Sequence, residues 1–441
     1  MRVLLLPHRF PPHGRGGVET WAWLLRAALQ AEGARVGVLT RDDRPTGGAP
    51  PFSIVETVDA DGPVFWLRHR HGDSRTFRDT WADPRVEDAV ARAVRAFQPD
   101  VLHVGHADGF GVAPFRVGGR LGVPVVCTLH DPKWLCVRGQ MLRPPGTPCQ
   151  TVDEARCVPC VASQLDAGPV RGLARRLAPG FLSARLAARD REGAPTGRAS
   201  AVGTRRWRVR QAALRAALEG AAALISPSRF LADRFAELGI RRPIDVCSNG
   251  LPPFAPAPLP DAPLRIGWFG TDVPSKGLDV LLAAAAGLPV EVHVHGVCTR
   301  PSTERVHVHG PYDGDRVHQL MNAVHAVCIP STWEENQPYV ALEARRAGRP
   351  LIAASLGGLP ELVRDGVDGW LVAPGDVGAL ARRLRVLLAD PDALSEAAGQ
   401  VVPPPTDAAM ARDHLAIYRA CTGATVPLPR RPDPDPLGVR D

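Results

Sequence analysis

Short apolar runs recur along the chain without polar alternation, each followed by a loop and then a helical period. Val3–Leu6, Val36–Leu39, Val101–Val104, Val123–Leu129, Ala222–Ile225 and Ile244–Cys247 read as strands. Unbroken runs of that length suit parallel strands covered on both faces. Between the first two, the loop Pro11-Pro12-His13-Gly14-Arg15-Gly16-Gly17 excludes helix. Glu19–Ala31 then sets Trp23, Leu24, Ala27, Ala28 and Ala31 on one predicted helical face. This is a strand–helix–strand opening.

A proline-rich run from Leu251 to Pro263 can hold neither ladder nor helix, and beyond it the rhythm restarts. Leu264–Phe269 reads as a strand, Gly270–Gly277 as a loop, and a helix follows from Leu278. Further strands are predicted at Val290–His295, Val306–His309, Val327–Pro330, Pro350–Ala353 and Gly369–Val372. The reading is an α/β chain of two doubly wound, Rossmann-like parallel-sheet domains facing across a cleft, with ligand at the carboxyl ends of the strands. The first domain takes residues 1–253, a linker 254–263, and the second domain 264–402. A C-terminal helix is placed at 406–421, and a proline-rich tail at 422–441 is expected to be disordered.

Composition narrows the class. A length of 441 residues with 45% hydrophobic residues fits two or three globular domains. The first apolar run stops at Pro7, too short for a signal peptide, and no run approaches the ~18 apolar residues of a membrane span. A cytoplasmic protein is expected. The net charge of +7 is local: residues 171–215 hold twelve arginines against Asp190 and Glu192. That pattern argues against a nucleic-acid-binding protein. Leu173, Leu177, Phe181, Leu182 and Leu186 at helical spacing suit a solvated helical hairpin, with peripheral contact with an anionic bilayer as the alternative.

Two groups carry candidate chemistry. The first is Pro330-Ser-Thr-Trp-Glu-Glu-Asn-Gln-Pro-Tyr-Val-Ala-Leu-Glu343, a strand end, a loop and a helix start. The amides of Tyr339 and Val340 would face an anion there. Glu335 in the loop and Glu343 in the helix suit a ligand with hydroxyls on both sides of its phosphates. The second group is Cys136, Cys149, Cys157 and Cys160 in an insertion at 136–160. Its Cys-x-x-Cys pair makes a structural zinc site a candidate, with unligated thiols as the alternative. His293/His295 and His307/His309 alternate as strand residues, and either ligand contact or a structural role fits them. Asp59-Ala-Asp61 and Asp433-Pro-Asp435 are discounted as metal motifs, because they fall in loop or tail contexts.

The ordered set Gly16-Gly17-Val18-Glu19-Thr20, Thr128-Leu129-His130-Asp131, Ser226-Pro-Ser-Arg-Phe230, Ser248-Asn-Gly250, Lys276-Gly277, Glu335-x7-Glu343, Gly357-Gly358-x-Pro-Glu361 and Pro374-Gly-Asp376 resembles glycosyltransferase family 4. The resemblance implies the GT-B fold and a retaining transferase that moves sugar from a nucleoside-diphosphate-sugar to a glycan, lipid-linked or small-molecule acceptor, as in polysaccharide biosynthesis. It implies that Glu343 holds the ribose and Glu335 the transferred sugar. Tyr339, Val340, Gly16 and Gly17 amides and Lys276 would meet the diphosphate, with Gly270 and Thr271 beside it. His130 would meet the donor sugar. His130, Lys276 and Glu335 are thus the expected catalytic set, with no cofactor or metal required for catalysis. Only Lys133 and Lys276 are lysines among 53 basic residues, which singles out Lys276. Thr271 departs from the family's usual arginine, with Arg15 a candidate substitute. A non-catalytic nucleotide-sugar or glycan-binding protein is the alternative.

Overall fold

A computed structural model describes residues 1–14, 16–44, 50–70, 73–74, 76–143, 146–165, 201–261 and 263–423. Arg15, most of the basic segment 171–215, and Asp433 and Asp435 in the tail lie outside the described residues. The chain divides into two compact units. The first comprises Met1–Pro227, Leu231–Cys247 and Ala411–Leu428, and the second is built on Ser228–Phe230 and Ser248–Met410.

The first unit is an eight-stranded sheet: β1 (Arg2–Leu6), β2 (Arg35–Asp42), β3 (Ile54–Asp59), β4 (Gly62–Arg68), β5 (Val101–Val104), β6 (Val125–Thr128), β9 (Ala223–Ser226) and β10 (Ile244–Val246). A small hairpin, β7 (Leu142–Arg143) with β8 (Thr147–Pro148), interrupts it. The sheet order is β10-β9-β6-β5-β1-β2-β4-β3, and only β3 runs antiparallel to its neighbour. The order reverses at β1/β5, where a ligand crevice belongs in such sheets.

Two of these strands were not predicted. β3 reads Ile-Val-Glu-Thr-Val-Asp and lies at the exposed edge, so no apolar stripe marks it. β4 does hold a readable signal, the buried run Val64-Phe65-Trp66-Leu67. Their hairpin accounts for Asp59-Ala-Asp61 without metal. Asp59 receives the amide of Asp61 at 3.0 Å and a bidentate pair from the buried Arg26 at 2.7 and 2.8 Å. The first helix, Gly17–Ala31, also turns differently from the prediction. It buries Trp21, Leu24, Leu25, Ala28 and Leu29, while Trp23 is 47% exposed.

The second unit carries β11 (Arg265–Thr271), β12 (Glu291–Val297), β13 (Val306–Gly310), β14 (Ala326–Ile329), β15 (Leu351–Ala354) and β16 (Gly369–Val372). All pairs are parallel in the order β13-β12-β11-β14-β15-β16, the doubly wound arrangement with its switch point at β11/β14. Ile266, Trp268, Val292, Val294 and Ile352 pack with Leu278, Leu281, Leu380 and Leu384 into one core face.

The proline-rich segment is not a bare tether. The unit boundary falls at Cys247, and the segment is strapped to the second unit by the buried Arg349, which donates to Ala257 and Pro258 carbonyls at 2.9 Å. The helix Asp407–Cys421 begins in the second unit and finishes in the first. There Tyr418 is fully buried with its hydroxyl on His103 Nδ1, and His103 Nε2 meets Thr128 Oγ1 at 2.7 Å.

Candidate active site

In the second unit, β11 ends at Gly270-Thr271, and a tight turn carries Lys276 before the helix Leu278–Ala285. Gly277 makes that turn possible. Its φ is +69°, and a Cβ would lie 1.9 Å from the Pro330 carbonyl oxygen at the end of the neighbouring β14. Lys276 Nζ donates to Glu335 Oε1 at 2.7 Å and sits 5.1 Å from the Trp333 ring centre. Ser331 Oγ (2.9 Å) and Trp333 Nε1 (2.8 Å) donate to the same oxygen. Among the described residues, all three donors converge on Oε1 and none reaches Oε2. Glu335 is therefore a buried carboxylate fixed by one oxygen, with the other available to a ligand hydroxyl. The loop behind it is equally close: Gly357 has φ +66°, and a Cβ there would stand 2.3 Å from the Glu335 carbonyl oxygen.

The helix Tyr339–Arg346 starts after Pro338, whose carbonyl accepts from Ala341 at 3.0 Å. Tyr339 and Val340 precede the first intrahelical donor, so their amides have no acceptor within the helix. Glu343 is partly buried one turn on. Burial raises its carboxyl to about 7, opposed by the Arg346 guanidinium. Its charge in turn helps hold the phenols of Tyr312 and Tyr339 above their usual range, on top of burial. Glu335 and Glu343 share no hydrogen-bond partner among those described.

Thr271 has a cation nearby, though one already engaged. Arg300 holds Asp272 with two bonds at 2.7 and 3.0 Å and Asp279 with a third at 2.7 Å. Two carboxylates offset that one charge. Lys276 is held by a single one.

In the first unit, the switch point gathers His8, Glu19, His106 and Asp131. Gly16 caps the first helix, and the Glu19 carboxylate folds back against it, so that a Cβ at Gly16 would stand 2.6 Å from Oε2. Gly17 is exposed with open space around it. Burial raises the Glu19 carboxyl, opposed by its own amide and that of Gly16. His8 Nε2 lies 3.4 Å from Glu19 Oε1, and its ring lies 4.3 Å from that of His106.

His130 follows β6 and packs edge-on against Trp21 at 4.6 Å. Burial first, and His106 second, lower its pKa to about 3, so it is neutral at physiological pH. The adjacent Asp131 does not orient His130. It pairs with His106 Nε2 at 2.9 Å and accepts the Lys133 amide at 2.9 Å. Burial disfavours a charged His106, but Asp131 outweighs it and raises the pKa. His106, Glu19 and His8 are the site residues that sequence reading missed. The available signal was the position of His8 and His106 just past strand ends and of Glu19 in the first turn of the helix Gly17–Ala31.

The four cysteines line one cavity of about 380 Å³ beside the β7–β8 hairpin, and none forms a disulfide. Burial lifts the Cys157 thiol to about 12, helped by Cys136. Among the described residues, the convergent sets of metal-ligating atoms are His293/His295/His309 and Glu291/His293/His307, and the cysteines do not form one. In the described part of the basic segment, several arginines have partners within the chain. Arg208 pairs with Glu154, and the buried Arg210 donates to the Lys133 carbonyl at 2.9 Å. No described helix is long and apolar enough to cross a membrane.

Two family models match the chain: "Glycosyl transferase 4-like domain" over residues 16–250 and "Glycosyl transferases group 1" over 263–390. The first alone spans more than half of it. The chain belongs to glycosyltransferase family 4. Its fold is of the GT-B class. Over 166 residues it is 40% identical to a D-inositol 3-phosphate glycosyltransferase of Mycolicibacterium vanbaalenii, covering 31% of this chain and 37% of that protein. The match to the Mycolicibacterium smegmatis counterpart is 34% over 160 residues, 32% of this chain and again 37% of the relative. These matches thus span little more than a third of the curated relatives' length.

Solved structures with the same fold cover nearly the whole family-4 chain. Sucrose-phosphate synthase from Thermosynechococcus elongatus has TM-score 0.65 at 19% identity, over 96% of this chain and 100% of that one. HepE from Anabaena, solved in complex with UDP, has TM-score 0.56 at 18% identity, over 96% and 99%.

Proposed function

We propose that this family-4 chain transfers a sugar from a nucleoside-diphosphate donor, held by its second unit, to a glycan, lipid-linked or small-molecule acceptor, with retention of anomeric configuration. The observation that supports it most is Lys276 and Glu335 paired at 2.7 Å at the β11/β14 switch point, where β11, β14 and the helix Tyr339–Arg346 converge. As the bond to the diphosphate breaks, negative charge grows on the leaving oxygen. Lys276 and the Tyr339 and Val340 amides are the groups that would stabilise it, and no metal is required in this scheme. Oε2 of Glu335 would take a hydroxyl of the moving sugar, and Glu343 the ribose hydroxyls. His130, held neutral, would hydrogen-bond the donor sugar without adding charge. The acceptor's proton would pass to the departing phosphate, so no protein nucleophile is invoked.

The test is incubation with a panel of UDP-, GDP- and ADP-sugars, following nucleoside diphosphate release with and without EDTA. Slow release from at least one donor, insensitive to EDTA, is expected. Binding without any release would favour a non-catalytic nucleotide-sugar-binding protein, the reading that Thr271 supports. Undiminished donor affinity in Lys276→Ala/Glu343→Ala would remove the site assignment. Zinc at the four cysteines belongs to the same proposal as a structural clip. Elemental analysis finding no zinc in the purified protein would dismiss it.

A further inference from the structure

On β12 and β13 of the second unit, one face of the sheet is apolar and the other is built of imidazoles. Val292 and Val294 enter the core, so Glu291, His293 and His295 point to the opposite face. β13 pairs His307 opposite His293, and the register then slips: His295 stands opposite Gly310, leaving His309 as an extra residue. Such irregularities re-aim a side chain. Here the slip lays the His309 ring parallel to both neighbours, 5.2 Å from His293 and 4.4 Å from His295, at interplanar angles of 8° and 9°.

The ring nitrogens converge as well as the rings. His293 Nδ1 is 3.0 Å from His309 Nε2, and one ligand atom from each of His293, His295 and His309 lies within 4.8 Å of the other two. On its far side, His293 Nε2 is 3.4 Å from Glu291 Oε2. A carboxylate on the outer nitrogen fixes the tautomer in which the inner nitrogen carries the lone pair, the support that metal-bound imidazoles commonly have. Two nitrogens 3.0 Å apart share a single proton. A cation about 2.0–2.1 Å from each would replace it with little movement.

We infer that His293, His295 and His309 form a binding site for a divalent transition cation, with Glu291 orienting His293 from behind. Three imidazoles select zinc, cobalt, nickel or copper over magnesium or calcium, which prefer oxygen ligands. The site is open on one side: His295 is buried, while His309 is exposed. His295 stacks on Phe269 at 4.7 Å and meets Tyr312 edge-on, so a bound ion would sit behind the last turn of β11. This inference does not depend on the donor assignment.

The test uses the metal-stripped full-length chain carrying Cys136→Ser/Cys149→Ser/Cys157→Ser/Cys160→Ser, which removes the thiols of that cluster. Titration with Co²⁺, followed by its visible absorption, is expected to show a site with nitrogen and oxygen ligands that Zn²⁺ displaces. His293→Ala/His309→Ala is expected to abolish it, and Glu291→Gln to weaken it roughly tenfold. Unchanged Co²⁺ affinity in the double variant, or no uptake by the parent, would overturn the site. Should circular dichroism show the double variant unfolded, His309→Gln alone decides. His309 is exposed, and at least a tenfold loss is expected there, whereas no loss overturns the proposal.

Discussion

Each sheet reverses its strand order once, and the two crevices are furnished very differently. At β11/β14 stands a charged pair, Lys276 with Glu335, whose carboxylate is fixed by three donors on one oxygen. At β1/β5 stand histidines whose burial governs their state. His8 and His130 are pushed far towards neutrality, and only His106, bonded to Asp131, is raised. The same topology therefore carries an ion pair in one unit and buried imidazoles in the other. The distinction lies in partners: Asp131 raises His106 against burial, whereas burial prevails at His8 and His130.

The largest effect should come from the backbone under the charged pair. Gly277→Ala places a side chain at φ +69° against the Pro330 carbonyl, costing roughly 3 kcal/mol or more. Calorimetry should then show the second unit melting several degrees lower, and donor binding should fail with it. An unchanged Tm would mean the turn relaxes freely. Lys276→Ala should leave the fold intact but lower nucleoside diphosphate release by about 10²–10³-fold, the usual effect of losing one leaving-group partner. If His130→Ala proves as damaging as Lys276→Ala and abolishes an ionisation near pH 6–7 seen in the parent, the contrast between the two crevices is wrong.

Glu343 gives a subtler reading. Its carboxyl is raised to about 7, and only the ionised form accepts two ribose hydroxyls, so donor affinity should rise with pH through about 7. Glu343→Gln should flatten that profile. The same shift acts on stability with the opposite sign. The folded chain holds this proton more tightly than the unfolded chain, so this group's contribution declines between the ordinary carboxyl pKa and about 7, then levels off.

The smallest effect belongs to Asp131→Asn. His106, raised by Asp131, contributes stability below its unfolded pKa and loses it as pH rises through the folded value. Asp131, lowered, loses its share as pH falls through its own folded value. The variant should therefore melt lower than the parent mainly in mildly acidic buffer, by a few degrees, and the difference should shrink towards pH 8. A deficit constant across pH would assign Asp131 only its cap on the Lys133 amide.

What the chain alone determined is whatever depends on neighbours in sequence. Unbroken apolar runs mark β1, β14 and β15 because a doubly covered parallel strand needs no polar alternation, and a valine–histidine alternation marks β12 and β13. The glycine and proline breaks and the helix Asp407–Cys421 are local for the same reason, as is the ordered set of motifs that carries the family. Tertiary structure decided the rest, because it turns on residues far apart along the chain. Asp131 chose His106 over the adjacent His130, and Arg349 fastened a segment that reads as a stiff linker. Tyr418 returned to His103, and a one-residue slip between β12 and β13 gathered His293, His295 and His309. Burial and partnership set the charge of a buried group, and neither is written in its immediate neighbours.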